Sequence, residues 1–146
     1  MAPADTRKGQ LMPAFGDTSR ARLETCHPSL QAVMNEVIKH FDYSIICGHR
    51  GEAEQMKAFD GGLSKARWLQ SPHNFTPSFA VDAVPHPIDW KDTERMAYGA
   101  GFIVMVGISK GISLTWGRDW DGDTDLKDQR FNDYPHFELK HWREMT

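Results

Sequence analysis

Two histidines and one aspartate in this chain have side chains and spacing that could hold a metal ion together. His73 lies in a Ser-Pro-His-Asn segment, Asp82 follows nine positions later in an apolar run, and His136 lies near the C-terminus. A catalytic zinc ion takes three protein ligands from His, Asp or Glu and keeps a fourth position for water. His73, Asp82 and His136 therefore predict a zinc site. The alternative for each histidine alone is an ordinary surface or packed residue.

Asp133 and Arg50 could complete a hydrolytic site around such a metal. Asp133 precedes His136 by three positions, and water activated by a metal needs a nearby carboxylate that accepts its proton. Arg50 follows a short apolar run and Gly48, a position from which a guanidinium could enter a cleft and bind a substrate carboxylate or a developing oxyanion. A surface ion pair is the alternative for Arg50. We predict that both residues are catalytic.

Three more residues are candidates for contact with a substrate. Glu138 alternates with His136, so in a strand the two side chains project to the same side, where Glu138 could orient a metal ligand or a substrate group. A solvated charge is the alternative. Ser71 could steady the His73 loop or contact substrate. Trp120 could line the cleft or pack beside it.

The stretch between Trp116 and Asp133 is acidic, and several of its carboxylates alternate along the chain. They are Asp119, Asp121, Asp123 and Asp125. Alternating carboxylates suit a hard cation such as calcium, although the full calcium-loop pattern is missing. The sequence therefore leaves two interpretations open, a calcium site and a solvated acidic loop.

The composition is that of an ordinary globular protein with one domain. The chain has 146 residues, of which 40% are hydrophobic and 25% charged, as expected for a folded domain of this length. Its net charge of -3 provides no positive field for nucleic acid, and no apolar run reaches the roughly 18 residues of a membrane span. We therefore expect no nucleic-acid partner and no membrane insertion. Cys26 and Cys47 are predicted to be free thiols.

Hydrophobic periodicity places these residues in an α+β domain. Leu30, Val33 and Val37 recur at the spacing of one helical face, and alternating apolar residues mark the strands. Residues 1–24 are predicted to be a flexible N-terminal segment, and residues 25–146 a single domain in which helices pack on a small, mostly antiparallel sheet. The helices are predicted at Pro28–Phe41, Ala53–Phe59 and Asp92–Lys110, and the strands at Tyr43–Cys47, Phe79–Val84, Ile112–Trp116 and His136–Leu139.

Several short segments of the chain are similar to those of a known family, the LAS-type zinc peptidases. The segments are Cys26–Leu30, Gly48–Arg50, Ser71–Asn74 followed by Ala80–Asp82, Trp116–Trp120, and Asp133–Leu139. The family includes D-Ala-D-Ala carboxypeptidases and dipeptidases, and the L-alanyl-D-glutamate endopeptidases of phage endolysins. The resemblance covers residues 24 to 140. The interval from His73 to Asp82 is longer than the family's commonest spacing, which we interpret as a loop insertion.

The resemblance implies a LAS/hedgehog-like fold, zinc on His73, Asp82 and His136, Asp133 as the general base, and Arg50 as a residue that positions substrate. The compact length and the C-terminal segment look most like single-domain phage endolysins. That implies a zinc metallopeptidase that hydrolyses the L-Ala–D-Glu bond of the peptidoglycan stem peptide. A D-Ala-D-Ala carboxypeptidase or dipeptidase is the first alternative, and a non-catalytic wall-binding or calcium-binding module is the second.

The start of the chain carries no recognisable export signal, because residues 1–25 are polar and charged and contain no apolar signal core. The sequence therefore predicts a protein that is made in the host cytoplasm without a signal peptide. The resemblance implies that a separate membrane-disrupting protein releases it at lysis, after which it acts on the cell wall. We expect it to work as a monomer.

Overall fold

The structure is a computed structural model and describes residues 13–146. Its helices are α1 (Asp17–Leu23), α2 (Pro28–Val37), α3 (Glu52–Asp60) and α4 (Thr93–Ser109), and its strands are β1 (Tyr43–Cys47), β2 (Ala80–Pro85), β3 (Leu114–Trp116) and β4 (His136–Leu139). Short 3-10 helices lie at Pro72–Asn74, Leu126–Asp128 and Trp142–Met145. Within residues 13–146, no helix combines the length and the apolar character needed to cross a membrane.

The strands form one antiparallel sheet in the order β1-β2-β4-β3. β2 and β4 are the central strands, and their register sets Asp82 directly opposite His136. On the other side of β2, Cys47 lies opposite Asp82 after an irregularity in β1. The predicted α+β fold with a small antiparallel sheet is confirmed. Its central strands bring two of the predicted metal ligands side by side.

Alternation along the central strands separates an apolar face of the sheet from a polar face. Val81 of β2 and Phe137 and Leu139 of β4 belong to the buried core, together with apolar residues of α2 and α4. Successive side chains of a strand point to opposite faces, so Asp82 and His136 lie on the other side. The helices thus cover the apolar face and leave the polar face available for chemistry.

Residues 13–24 belong to the folded domain. The prediction of a flexible segment over residues 1–24 is therefore wrong for residues 13–24. Arg22 Nη1 in α1 donates to the carbonyl oxygen of Ile45 at 3.0 Å, and the Ser19 hydroxyl accepts from the Ile45 amide at 3.0 Å. β1 is an edge strand, and edge strands need partners for their free backbone groups. α1 supplies these partners and buries Leu23. Residues 1–12 of the predicted segment lie outside the described residues.

The helix predicted over Pro28–Phe41 ends at Val37 because the chain must reverse there to enter β1. The amides of His40 and Phe41 both donate to the carbonyl oxygen of Val37, which closes the turn. The strand predicted from Ile112 starts at Leu114, since the Ile112 amide bonds to Gly107 and completes the turn after α4. The remaining predicted elements agree with the structure to within one or two residues at each end.

Two glycines of α4 provide a matched test of this packing. A Cβ atom on Gly99 would lie 2.0 Å from the hydroxyl oxygen of the buried Tyr43, whereas a Cβ on Gly101 would meet nothing within 4 Å. We predict that Gly99→Ala lowers the free energy of unfolding by about 1–3 kcal/mol, because the core becomes overpacked. Gly101→Ala should raise it by up to about 1 kcal/mol through helix propensity. Urea denaturation measures both, and equal effects would contradict the described packing of α4 on β1.

Candidate active site

The three residues predicted as metal ligands lie together on the polar face of the sheet. His73 Nε2 lies 3.1 Å, and His136 Nδ1 3.2 Å, from the same oxygen, Oδ1 of Asp82. The two imidazole rings are 5.2 Å apart between centroids, and both are buried. β2 supplies Asp82, β4 supplies His136, and the 3-10 helix at Pro72–Asn74 supplies His73. Two nitrogen atoms and one carboxylate oxygen therefore converge on one point.

Both imidazoles are oriented by an acceptor on their far side. His73 Nδ1 lies 2.7 Å from the Gly48 carbonyl oxygen, and His136 Nε2 lies 2.8 Å from Oε1 of Glu138. A proton on each of these nitrogens leaves the lone pairs of His73 Nε2 and His136 Nδ1 directed towards Asp82. Histidine ligands of metal ions almost always have such an outer partner. The donor set thus fits a zinc ion in atom type and in orientation.

Glu138 is buried and forms a bridge behind His136. Its Oε1 faces His136 Nε2, and its Oε2 accepts from the indole nitrogen of Trp142 at 3.1 Å. The alternative of a solvated strand charge therefore does not describe Glu138 in this structure. The contacts suit the orientation of a metal ligand, and its role towards substrate stays a prediction.

The Asp82 carboxylate makes its surroundings favourable for a cation. Burial alone would raise the pKa of Asp82, but the neighbouring His73 and His136 hold it well below its usual range. Burial also opposes positive charge on the imidazoles, yet the attraction of Asp82 raises the pKa of His73 to about 10 and that of His136 to about 9. Protons and metal ions compete for the same nitrogen lone pairs. The site is therefore built around a stable negative charge.

Arg50 is held at the edge of this cluster by two polar partners. Its Nη2 lies 3.6 Å from Asp82 Oδ2, and its Nη1 donates to Oε1 of Gln55 at 3.0 Å. Gln55 is fully buried and also accepts from the side-chain amide of Asn74 and donates to the Ala66 carbonyl oxygen. Sequence reasoning missed Gln55, since a glutamine in a short polar helix has no pattern that separates it from a surface residue.

Ser71 steadies the His73 turn, which was one of the two roles predicted for it. Its hydroxyl accepts from the His73 amide at 3.2 Å. Asn74 Oδ1 accepts from the amides of Leu69 and Ser71 at 2.9 and 3.3 Å, and the Arg50 amide donates to the His73 carbonyl oxygen at 2.8 Å. The turn is therefore tied at both ends. Ser71 also lines the pocket described below, so contact with substrate stays a prediction.

Asp133 lines the same pocket as the three converging residues. Its amide donates to the Gly117 carbonyl oxygen at 2.7 Å, and its own carbonyl oxygen accepts from the His136 amide at 3.1 Å. Burial raises the pKa of Asp133, and the nearby Asp82 carboxylate raises it further, while His136, His73 and Arg50 partly offset these effects. A carboxylate with a raised pKa is a better proton acceptor and donor near neutral pH.

The pocket above these residues has a volume of about 790 Å³, within the range of peptide-sized or drug-sized ligand sites. Trp120 forms part of its wall: its ring lies 5.5 Å from the His136 ring and stacks on Phe131 at 6.1 Å. The Trp120 indole nitrogen donates to the Phe131 carbonyl oxygen at 2.7 Å. Trp120 therefore both lines the cleft and packs beside it. Contact with substrate stays a prediction.

Cys47 lies beside the site, which the sequence did not indicate. Donor atoms of Cys47, His73 and Asp82 lie within 4.8 Å of one another, because Cys47 is opposite Asp82 in the register of β1 and β2. Cys26 and Cys47 are both free, as predicted. Burial and the neighbouring Cys47 raise the pKa of Cys26 to about 12. Only the strand register could have linked Cys47 to the predicted ligands.

The structure brings three of the four alternating carboxylates together. Oxygen atoms of Asp119, Asp121 and Asp123 lie within 4.8 Å of one another. Asp125 is outside this group, and its Oδ1 accepts from the Lys127 amide at 2.9 Å. Each of these three carboxylates also accepts a hydrogen bond from a backbone amide of the loop. Calcium binding by this loop stays a prediction.

The contacts of Glu138 lead to a prediction for metal retention. Glu138→Gln removes the negative charge that holds His136 Nε2, and we expect a loss of zinc affinity of about 10- to 100-fold with a folded protein. Competition with a chromophoric chelator measures the affinity, and circular dichroism checks the fold. Glu144→Gln is the matched control, since the Glu144 side chain is 79% exposed and, within residues 13–146, forms an ion pair with His141 alone. Equal affinities for the two variants would contradict the role of Glu138.

The comparisons with known proteins agree with this fold. A family model described as phage L-alanyl-D-glutamate peptidase matches residues 12–140. Among solved structures, the Serratia marcescens L-Ala D-Glu endopeptidase ChiX is similar to this chain, with a TM-score of 0.71 and 26% sequence identity. The match covers 91% of this chain and 94% of that one. Since the family match extends over most of its length, the chain belongs to the phage L-alanyl-D-glutamate peptidase family and is an LAS-type peptidase.

Proposed function

We propose that this protein hydrolyses the L-Ala–D-Glu bond of peptidoglycan stem peptides, with a zinc ion held by His73, Asp82 and His136. The observation that carries the proposal is the convergence of His73 Nε2 and His136 Nδ1 on Asp82 Oδ1 in the lining of the pocket. Bound zinc supplies Lewis acidity, which polarises a carbonyl group and makes water more acidic. The family and the activity named for ChiX support the choice of bond.

Asp133 would move the proton in this reaction. Its carboxylate accepts a proton from the attacking water as the water oxygen bonds to the carbonyl carbon of L-Ala. When the C–N bond breaks, Asp133 returns that proton to the leaving amine of D-Glu. Its half-buried position and raised pKa support both steps.

Arg50 would bind the carbonyl oxygen of the reacting group. Asp82 and Gln55 fix its guanidinium at the pocket wall, so little side-chain entropy is lost when it donates to a substrate oxygen. A developing negative charge on the carbonyl oxygen strengthens such a hydrogen bond. Arg50 therefore supports the transition state more than the ground state.

The family also supports a setting for this activity. We propose that the protein is made in the host cell, acts on the cell wall after release, and does so as a monomer. All the residues assigned above come from one chain, and His73, Asp82 and His136 need no second copy to complete their set. Peptidoglycan is the proposed partner, and neither nucleic acid nor a membrane is required.

The mechanism predicts that Asp133→Asn loses about 100- to 10,000-fold in kcat while it retains zinc and the fold. Zinc-loaded protein would be incubated with purified peptidoglycan, and mass spectrometry would locate the new chain ends. New N-terminal D-Glu, with intact glycan, is the expected product. His136→Ala should lose activity together with zinc, and Asp60→Asn, a change in an exposed carboxylate at the end of α3, should keep both.

Other products of the same digest would contradict the proposal. Release of D-Ala would indicate a D-Ala-D-Ala carboxypeptidase or dipeptidase with the same metal chemistry. No product from a folded, zinc-loaded sample would indicate a non-catalytic wall-binding or calcium-binding module. Full turnover by Asp133→Asn would assign the proton transfer to another residue.

A further inference from the structure

The pocket contains more positive charge than the proposed chemistry uses. Its lining includes Arg50, Lys65, Arg130 and Arg143. Arg50 is engaged by Asp82 and Gln55. Across residues 13–146, no carboxylate lies within ion-pair distance of Lys65, Arg130 or Arg143. The same lining holds three carboxylates, Asp82, Asp133 and Glu138. The cations therefore outnumber the carboxylates by one in the pocket, although the whole chain carries a net charge of -3.

Two of these cations, Lys65 and Arg130, border an aromatic wall of the pocket that begins at His136. Trp120 packs against His136 at 5.5 Å, and Phe131 stacks on Trp120 at 6.1 Å. Lys65 Nζ lies 5.3 Å from the centre of the Phe131 ring, and Arg130 is the chain neighbour of Phe131. The third cation, Arg143, stacks on Trp142 at 4.5 Å on the side of Glu138. Lys65 and Arg130 therefore border the wall that leads to the reacting centre.

The charged side chains of this pocket differ in how far protein partners neutralise them. Asp82 and Glu138 are engaged by His73, His136 and Trp142, and Asp133 is the third carboxylate of the lining. Lys65 and Arg130 line the same pocket, are exposed, and have no carboxylate among residues 13–146 within ion-pair distance. A substrate carboxylate in this pocket would therefore be attracted by both cations.

We propose that Lys65 and Arg130 recognise the free α-carboxylate of the D-Glu residue, so that the enzyme prefers stem peptides with D-Glu over stems in which this carboxylate is amidated. The inference rests on the proposed function, because a γ-linked D-Glu keeps its α-carboxylate free directly beside the cleaved bond. Arg130 can donate two parallel hydrogen bonds to a carboxylate, and Lys65 adds a mobile point charge. An amide in that place would present its own donors to both cations and lose the attraction.

Two synthetic N-acylated stem peptides that differ only in carboxylate or carboxamide at this position test the proposal. We expect wild-type kcat/KM to favour the carboxylate peptide by about tenfold or more, as for charge-assisted hydrogen bonds. Lys65→Gln and Arg130→Gln should each reduce that ratio several-fold, and the double variant should bring it close to one. Arg67→Gln is the matched control: it belongs to the same loop as Lys65 but stacks on Phe59 at 4.8 Å, outside the pocket lining. Its ratio should equal that of the wild type.

The ratio separates recognition from a structural role. Loss of activity on both peptides in equal proportion would overturn the proposal, since it would mean that Lys65 and Arg130 merely support the wall. The proposal would also be overturned if Arg143→Gln lost the preference for the carboxylate peptide while Lys65→Gln and Arg130→Gln kept it.

A binding measurement keeps the inference distinct from the proposed function. Calorimetry with the zinc-loaded Asp133→Asn variant compares the affinities of the two peptides without cleavage. Tighter binding of the carboxylate peptide, lost when Lys65→Gln and Arg130→Gln are added, supports the inference even if the wild-type enzyme cuts another bond. Cleavage at L-Ala–D-Glu with equal binding of the two peptides supports the proposed function and overturns the inference.

Discussion

The negative charge of Asp82 is the constraint around which the site is arranged. A carboxylate of low exposure is costly to keep ionised unless charged or polar partners surround it. Here the partners come from three distant parts of the chain: His73 from a 3-10 turn, His136 from β4 and Arg50 from the segment after β1. Because these three partners belong to different parts of the chain, the fold must be complete before the charge of Asp82 is compensated.

The partners of Asp82 are themselves fixed from behind, and these outer contacts explain much of the surrounding sequence. The Gly48 carbonyl oxygen sets the His73 ring, and Glu138 with Trp142 sets the His136 ring. Position 48 leaves no room for a side chain, because a Cβ atom on Gly48 would lie 2.4 Å from the carbonyl oxygen of Arg22. The close approach of α1 to β1 at Gly48 is thus linked to His73 through one backbone carbonyl group.

The sequence was informative where residue type and local period agree. Tyr43–Cys47 is a short apolar run bounded by Asp42 and Gly48, and the structure forms a strand with those same ends. The clustering of His73, Asp82 and His136 could be predicted because only a few residue types have side chains that can bind zinc. α1 was missed because its apolar signal is slight, and its contacts with Ile45 depend on the edge of the sheet.

Other features depend on tertiary neighbours that no local pattern contains. Gln55 is buried by the loop that folds over α3, and Cys47 meets Asp82 only through the strand register. The positive charge of the pocket also depends on the tertiary structure. Lys65 and Arg130 are far apart in the chain, and the fold brings both to the pocket wall that contains Phe131. Net charge, which is negative, would have suggested the opposite sign at this place.

The chain segments that connect His73, Asp82 and His136 differ in how much change in length they can absorb. The loop from Gly117 to Asp133 is closed at its base, where the Gly117 amide donates to His136 at 2.8 Å and the Asp133 amide donates to Gly117 at 2.7 Å. Each doubling of a flexible loop costs only about 0.6 kcal/mol in closure entropy, so residues added near its tip leave His136 in place. The path from His73 to Asp82 is different, because Ser78 is tied to Thr25 and His27 along the way. The tip of the loop from Gly117 to Asp133 is therefore a position where a binding module could be inserted without displacing His73, Asp82 or His136.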